Sequence, residues 1–137
     1  MKLLLMTPAI IVAFSITIIT LCAQNAGKEW KAHPDADKLI NPFKEKAEAT
    51  VEGKKLYTQM CAICHGDKGK GDGVAAVALN PKPANYTLPK TQQQSDGILF
   101  WKMTEGRPPM ASYKTILTET QRWQLVNYLR TFNPIKK

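Results

Sequence analysis

The chain has 137 residues, three cysteines and a formal charge of +8 at neutral pH. That length holds one small domain, and with only about ninety residues beyond an apolar start and its connector the core calls for a disulfide, metal or cofactor to supplement it. Cys22 lies in or at the end of the apolar start, so a disulfide framework is excluded. The basic balance points to acidic partners, the plainer alternative being lysines spread for solubility.

Residues 3–21 follow a single Lys and carry no charge, as in a secretory signal. The stretch is also near the length of a membrane span, so an uncleaved anchor stays open, as does lipidation at Cys22. Residues 1–23 are thus expected to be a signal peptide or membrane anchor, which places the rest outside the cytoplasm: periplasmic, soluble or tethered. Residues 24–49 mix charge with Pro34, Pro42 and a lone Trp30 and show no helical period. They are expected to form an extended arm, either a tether or a wrap anchored by Trp30.

The domain proper is expected over 50–134, with a first helix starting at Thr50 and running to Cys61. Gly53 and Tyr57 form one inward row, Leu56 and Met60 another. Gly-rich HGDKGKGDG and Pro-rich NPKPANYTLPK read as loops, with a short helix over VAAVAL between them. A second long helix is capped by Ser95 and Asp96 and stopped at Gly106, with Leu99 and Met103 sharing a face. A third opens on Thr118 and Gln121 in capping-box spacing and carries the stripe Leu125, Val126, Leu129 and Phe132. No alternating strand appears, so the fold is expected to be all-α.

Cys61-Ala62-Ile63-Cys64-His65 has the C-x-x-C-H pattern of covalent c-type haem attachment. Cysteines three apart at a helix end share a face, and the following imidazole can turn onto iron. Zinc needs a fourth ligand, for which only His33 or Cys22 remain, and a thioredoxin-like dithiol needs flanking strands. For the sixth iron ligand, Met110 follows the stiff Gly106-Arg107-Pro108-Pro109 and is the foremost candidate, with Met103 the alternative. GDKGKGDG lacks the endings of a phosphate or calcium loop.

Residues 50–133 resemble the class I cytochrome c domain through Gly53-Lys54-Lys55-Leu56-Tyr57, Cys61-Ala62-Ile63-Cys64-His65-Gly66, Gly69-Lys70-Gly71-Asp72-Gly73, Leu79-Asn80-Pro81-Lys82-Pro83, Trp101-Lys102-Met103-Thr104-Glu105-Gly106, Met110 and Trp123-Gln124-Leu125-Val126-Asn127-Tyr128-Leu129-Arg130. The resemblance implies three main helices plus a short helix and Gly/Pro-rich loops around one haem c. It implies His65 and Met110 as the axial pair, the Gly53 and Tyr57 face crossing the Tyr128 face, and a carbonyl near Pro81 or Pro83 on the proximal imidazole. Ala111 and Val74 stand where many relatives have Pro, which leaves the stiffness of the Met110 loop open.

The expected function is one-electron transfer rather than catalysis. Its partners are expected to be redox proteins, not nucleic acid, met through a basic rim of Lys68, Lys70, Lys82, Lys102, Arg107 and Lys114. The alternative is a fixed subunit of a membrane respiratory complex, such as alternative complex III, since the arm looks like those of some such subunits. An enzyme or gas sensor would need an open iron position, against which Met110 argues.

Overall fold

The computed structural model describes residues 29–134. The leader, Cys22 and the start of the arm lie outside them. The chain divides into two compact units after Trp30, and of the first only Glu29 and Trp30 are described, both without regular structure.

The second unit is helical, and no strand occurs among the described residues. Its helices are α1 (Ala47–Met60), α2 (Ala62–His65), α3 (Pro89–Gln92), α4 (Asp96–Glu105) and α5 (Glu119–Arg130), with 3-10 turns at Pro34–Lys38 and Val74–Ala78. The ends of α4 and α5 follow local chemistry. Ser95 accepts the N–H of Ile98 and Gly106 ends α4 at φ 68°, a conformation a side chain disfavours. Thr118 and Gln121 close a full capping box on α5.

The α1–α5 crossing organises the core. A Cβ on Gly53 would lie 2.0 Å from the carbonyl oxygen of Gln124, so the two backbones meet where only glycine fits. Leu125, Val126 and Leu129 of α5 are buried there with Tyr57 of α1. Each fully buried aliphatic side chain contributes roughly 1.5–3 kcal/mol. On the other flank Phe100 of α4 stacks on Trp123 of α5, centroids 3.9 Å apart. The outer positions Leu56, Met60 and Phe132 are half-buried and pack on this cluster.

Two features differ from expectation. Helix α1 begins at Ala47, after Lys46, and Thr50 is not its cap. Its hydroxyl instead donates to the Lys46 carbonyl at 3.2 Å, a bond available only inside a helix. Helix α3 arises within a segment that reads as loop because Pro89 suits the first helical position.

The described part of the arm carries local structure of its own. His33 Nδ1 accepts the Asp35 N–H and opens the Pro34 turn, so this histidine is an exposed cap. The turn buries Ala36 over Gly97 of α4, where a Cβ would sit 2.0 Å from the Ala36 carbonyl oxygen. Asn41 then donates at 2.8 Å to both Asp96 and Asn127 and accepts the Phe43 N–H at 2.9 Å. Asn127 donates to the Phe43 carbonyl, and Arg130 pairs with Asp96 at 2.7 Å. Residues 33–46 are therefore packed onto α4 and α5. Spaced polar residues with no period conceal such packing, because its partners lie more than fifty positions away.

Candidate haem-attachment site

Helix α1 delivers the attachment segment, and the chain reaches α2 through Cys61, whose N–H still donates to Tyr57 at 2.9 Å. The Cys64 and His65 N–H groups both return to the Cys61 carbonyl, at 3.1 and 2.8 Å. Both thiols are free and half-buried, and both sulfurs share one turn. Burial, reinforced by the negative charge Cys64 would carry, pushes the Cys61 thiol up to about 12. Cys61 is therefore held as the neutral thiol near neutral pH.

Gly66 ends α2 at φ 75°, and its carbonyl accepts the Tyr57 hydroxyl at 2.6 Å, tying the turn to the α1–α5 crossing. The Gly-rich loop folds back on α2: Gly71 and Gly73 donate to His65 and Cys64 at 2.8 and 3.1 Å. A Cβ at Gly73 would meet the Ile63 carbonyl at 2.4 Å, so this loop is a close lining of the attachment turn.

His65 is buried, and its Nδ1 lies 3.0 Å from the Ala84 carbonyl. A carbonyl only accepts, so Nδ1 carries the proton and Nε2 keeps its lone pair. Burial lowers the imidazole below its ordinary value, and the Ala84 bond opposes this only in part, so the ring is neutral. The acceptor is Ala84, one residue past the Pro81–Pro83 stretch that the resemblance singled out. Two prolines extend the chain there, and the next carbonyl is the one that turns inward.

Met110 closes a two-residue bridge with Arg107, the N–H of each donating to the other's carbonyl at 2.8 and 3.0 Å. It is half-buried and packs on the same cluster as Cys61 and Ala62. Met103 is 6% exposed within α4, packed in the core, and its carbonyl accepts the Tyr113 N–H at 3.1 Å. Two further residues belong to the site and were not singled out from sequence. The Tyr86 ring sits 4.8 Å from the His65 ring, and Tyr113 lies close enough to Cys61 and Cys64 to feel their charge. Both phenols are pushed up by burial. Aromatic residues in a Pro-rich loop and after the Met were visible, but nothing local says which way they face.

The residues fit a covalently held haem. Two thiols share a face, the following imidazole is neutral with Nε2 free of its backbone bond, and a thioether and aromatic rings pack on one cluster. Among the described residues no group of three or more His, Cys, Asp or Glu is placed to hold a bare metal ion.

The basic rim is unevenly built. Lys68 and Lys70 are exposed beside the attachment turn. Lys82 donates to the Ala76 and Val77 carbonyls, Lys102 to Gln94, and Lys114 lies 3.9 Å from Glu105.

Fold and attachment motif together define a c-type haem domain. A cytochrome c profile matches residues 50–133, and the chain belongs to the cytochrome c family. Its cofactor is covalently attached haem c. The structure is similar to the reducing HAO-like protein complex Kustc0457/Kustc0458 of Kuenenia stuttgartiensis, with TM-score 0.62 and 27% identity over 77% of this chain and 52% of that one. It is also similar to the KustC0563 c-type cytochrome, with TM-score 0.52 and 30% identity over 59% of this chain and 96% of that one. This chain therefore spans about half the length of the first of these and nearly all of the second. No curated protein matches it.

Proposed function

We propose that the protein is an exported single-electron carrier whose haem is held by thioethers from Cys61 and Cys64 and ligated by His65 and Met110. The haem supplies a ferric–ferrous couple when bound. Cys61 and Cys64 would hold it through thioethers formed by adding S–H across its two vinyl groups, an addition that needs no oxidant. The carrying observation is the Nδ1 bond to Ala84, which selects the tautomer a proximal ligand needs and raises its basicity. The Arg107 bridge presents Met110 as the neutral second ligand. With His65 and Met110 both holding the iron, no ligand position would be left for a substrate, which favours transfer over catalysis. Export rests on residues 3–21 and on c-type haem attachment occurring outside the cytoplasm.

The partners are redox proteins with acidic contact surfaces, met near Lys68 and Lys70. Intact mass of the native protein tests attachment and leader processing together: a mass without haem defeats the proposal. Reduction by the partner should slow as salt rises, and a rate indifferent to salt would defeat the steering.

A second reading is a fixed subunit of a membrane respiratory complex. The similarity to a chain of a complex, and the docking of residues 33–46 onto α4 and α5, favour it. Co-purification with other subunits after detergent extraction supports this reading, and release by a salt wash opposes it.

A further inference from the structure

Arg122 is 8% exposed, a buried cation in the first turn of α5. Burying a charge is costly, and a cation at a helix N-terminus meets the wrong end of the helix dipole. No carboxylate lies within ion-pair distance of it among the described residues. The fold keeps it nonetheless.

Its Nη1 donates to the carbonyls of Tyr113, Lys114 and Leu117, at 3.3, 3.0 and 2.6 Å. The guanidinium lies over Phe100, 5.2 Å from the ring centre, while Nε is buried without a protein partner. All three carbonyls belong to the segment that leaves Met110. That segment is otherwise held by Tyr113 N–H on the Met103 carbonyl, 3.1 Å, and Ser112 hydroxyl on the Thr104 carbonyl, 2.6 Å. Upstream, Met110 has its bridge to Arg107. Downstream, Ala111 offers no ring to restrict the backbone.

We propose that Arg122 is the positioning residue for the Met110 thioether: by gathering three carbonyls of the 113–117 segment it holds the ligand loop closed and sets how readily the sixth ligand is displaced. This rests on Met110 being that ligand. The guanidinium replaces the stiffness a proline after Met110 would supply. Lysine keeps the charge, but its ammonium ends one bond short of the place Nη1 occupies and has no planar face to lie over Phe100.

The experiment uses the full-length ferric holoprotein with imidazole as competing ligand. Three forms are compared: the unaltered protein, Arg122→Lys and Met110→Ala. Two readouts are followed, the far-red thioether-to-iron absorption band and the imidazole dissociation constant. Loss of charged hydrogen bonds to the loop should make imidazole bind about tenfold or more tightly in Arg122→Lys and weaken the band, with helix content unchanged. A merely structural arginine would lower the unfolding midpoint and leave imidazole affinity alone. Wild-type affinity and band in a folded Arg122→Lys would overturn the proposal. If the unaltered protein lacks the band and Met110→Ala leaves its spectrum unchanged, the ligand assignment fails instead. Should Arg122→Lys not accumulate with haem, Arg122→Gln carries the same comparison.

Discussion

Replacing Gly53 by alanine should destabilise the protein although alanine is the better helix former. The added Cβ would stand 2.0 Å from the Gln124 carbonyl oxygen, 2.6 Å from its carbon and 3.1 Å from Leu125 nitrogen. All three are backbone atoms, so no side chain can swing aside. Relief requires α1 and α5 to part by more than about 1 Å, and a gap of that size forfeits roughly a quarter to a half of each dispersion contact it opens. The losses fall on Tyr57, Leu125 and Val126, each no more than 1% exposed. Overpacking of this kind costs about 1–3 kcal/mol or somewhat more, against about 1 kcal/mol gained in helix propensity. A net loss of about 1–2 kcal/mol corresponds to a melting point lower by about 5–10 °C in a domain of this size. Thermal unfolding of the oxidised holoprotein, followed by far-ultraviolet circular dichroism, measures it. Because Tyr57 also holds the Gly66 carbonyl beside His65, the haem absorption should change at a lower temperature too. A variant melting at or above the unaltered protein would refute the reasoning, since propensity would then outweigh the clash.

Other consequences concern the ligands and the arm. Met110→Ala should abolish the far-red band and let the ferrous protein bind carbon monoxide at neutral pH while the haem stays covalently attached; a band that survives there and disappears in Met103→Ala would move the assignment to Met103. Burial lowers the His65 imidazole, so its contribution to stability is fully present above about pH 6.5 and is lost as pH falls through the lowered folded value. An acid titration of the holoprotein should show stability falling only below that point, and a loss of stability between about pH 7 and 6.5 would contradict it. Asn41→Ala leaves Asp96 and Asn127 each short of a donor, a cost of about 1–3 kcal/mol. Trypsin should then nick the arm after Lys38, Lys44 or Lys46 faster than in the parent, and an unchanged rate would show that the arm is held by other means.

Much of the site was legible because its signals are local. The attachment pentapeptide, the caps at Ser95 and Thr118 and the stop at Gly106 act within one or two turns, where a side chain reaches its own backbone. The row of Gly53 and Tyr57 was legible too, since one face of a helix repeats at four residues, and both are buried. The start of α1 was not, because Lys46 caps without a side-chain bond and no residue there advertises it.

What the sequence determined by itself is the chemistry available: which turn carries the thiols and imidazole, where helices end, which faces are apolar. What only the tertiary structure decided is which distant groups complete that chemistry. Ala84, the residue after Pro83, receives His65, Asn41 joins Asp96 and Asn127 across 55 and 86 positions, and Arg122 reaches back to the segment after Met110. The physical reason is that a carbonyl has no side-chain signature. Every residue carries one, and which of them turns inward depends on how loops close over packed helices.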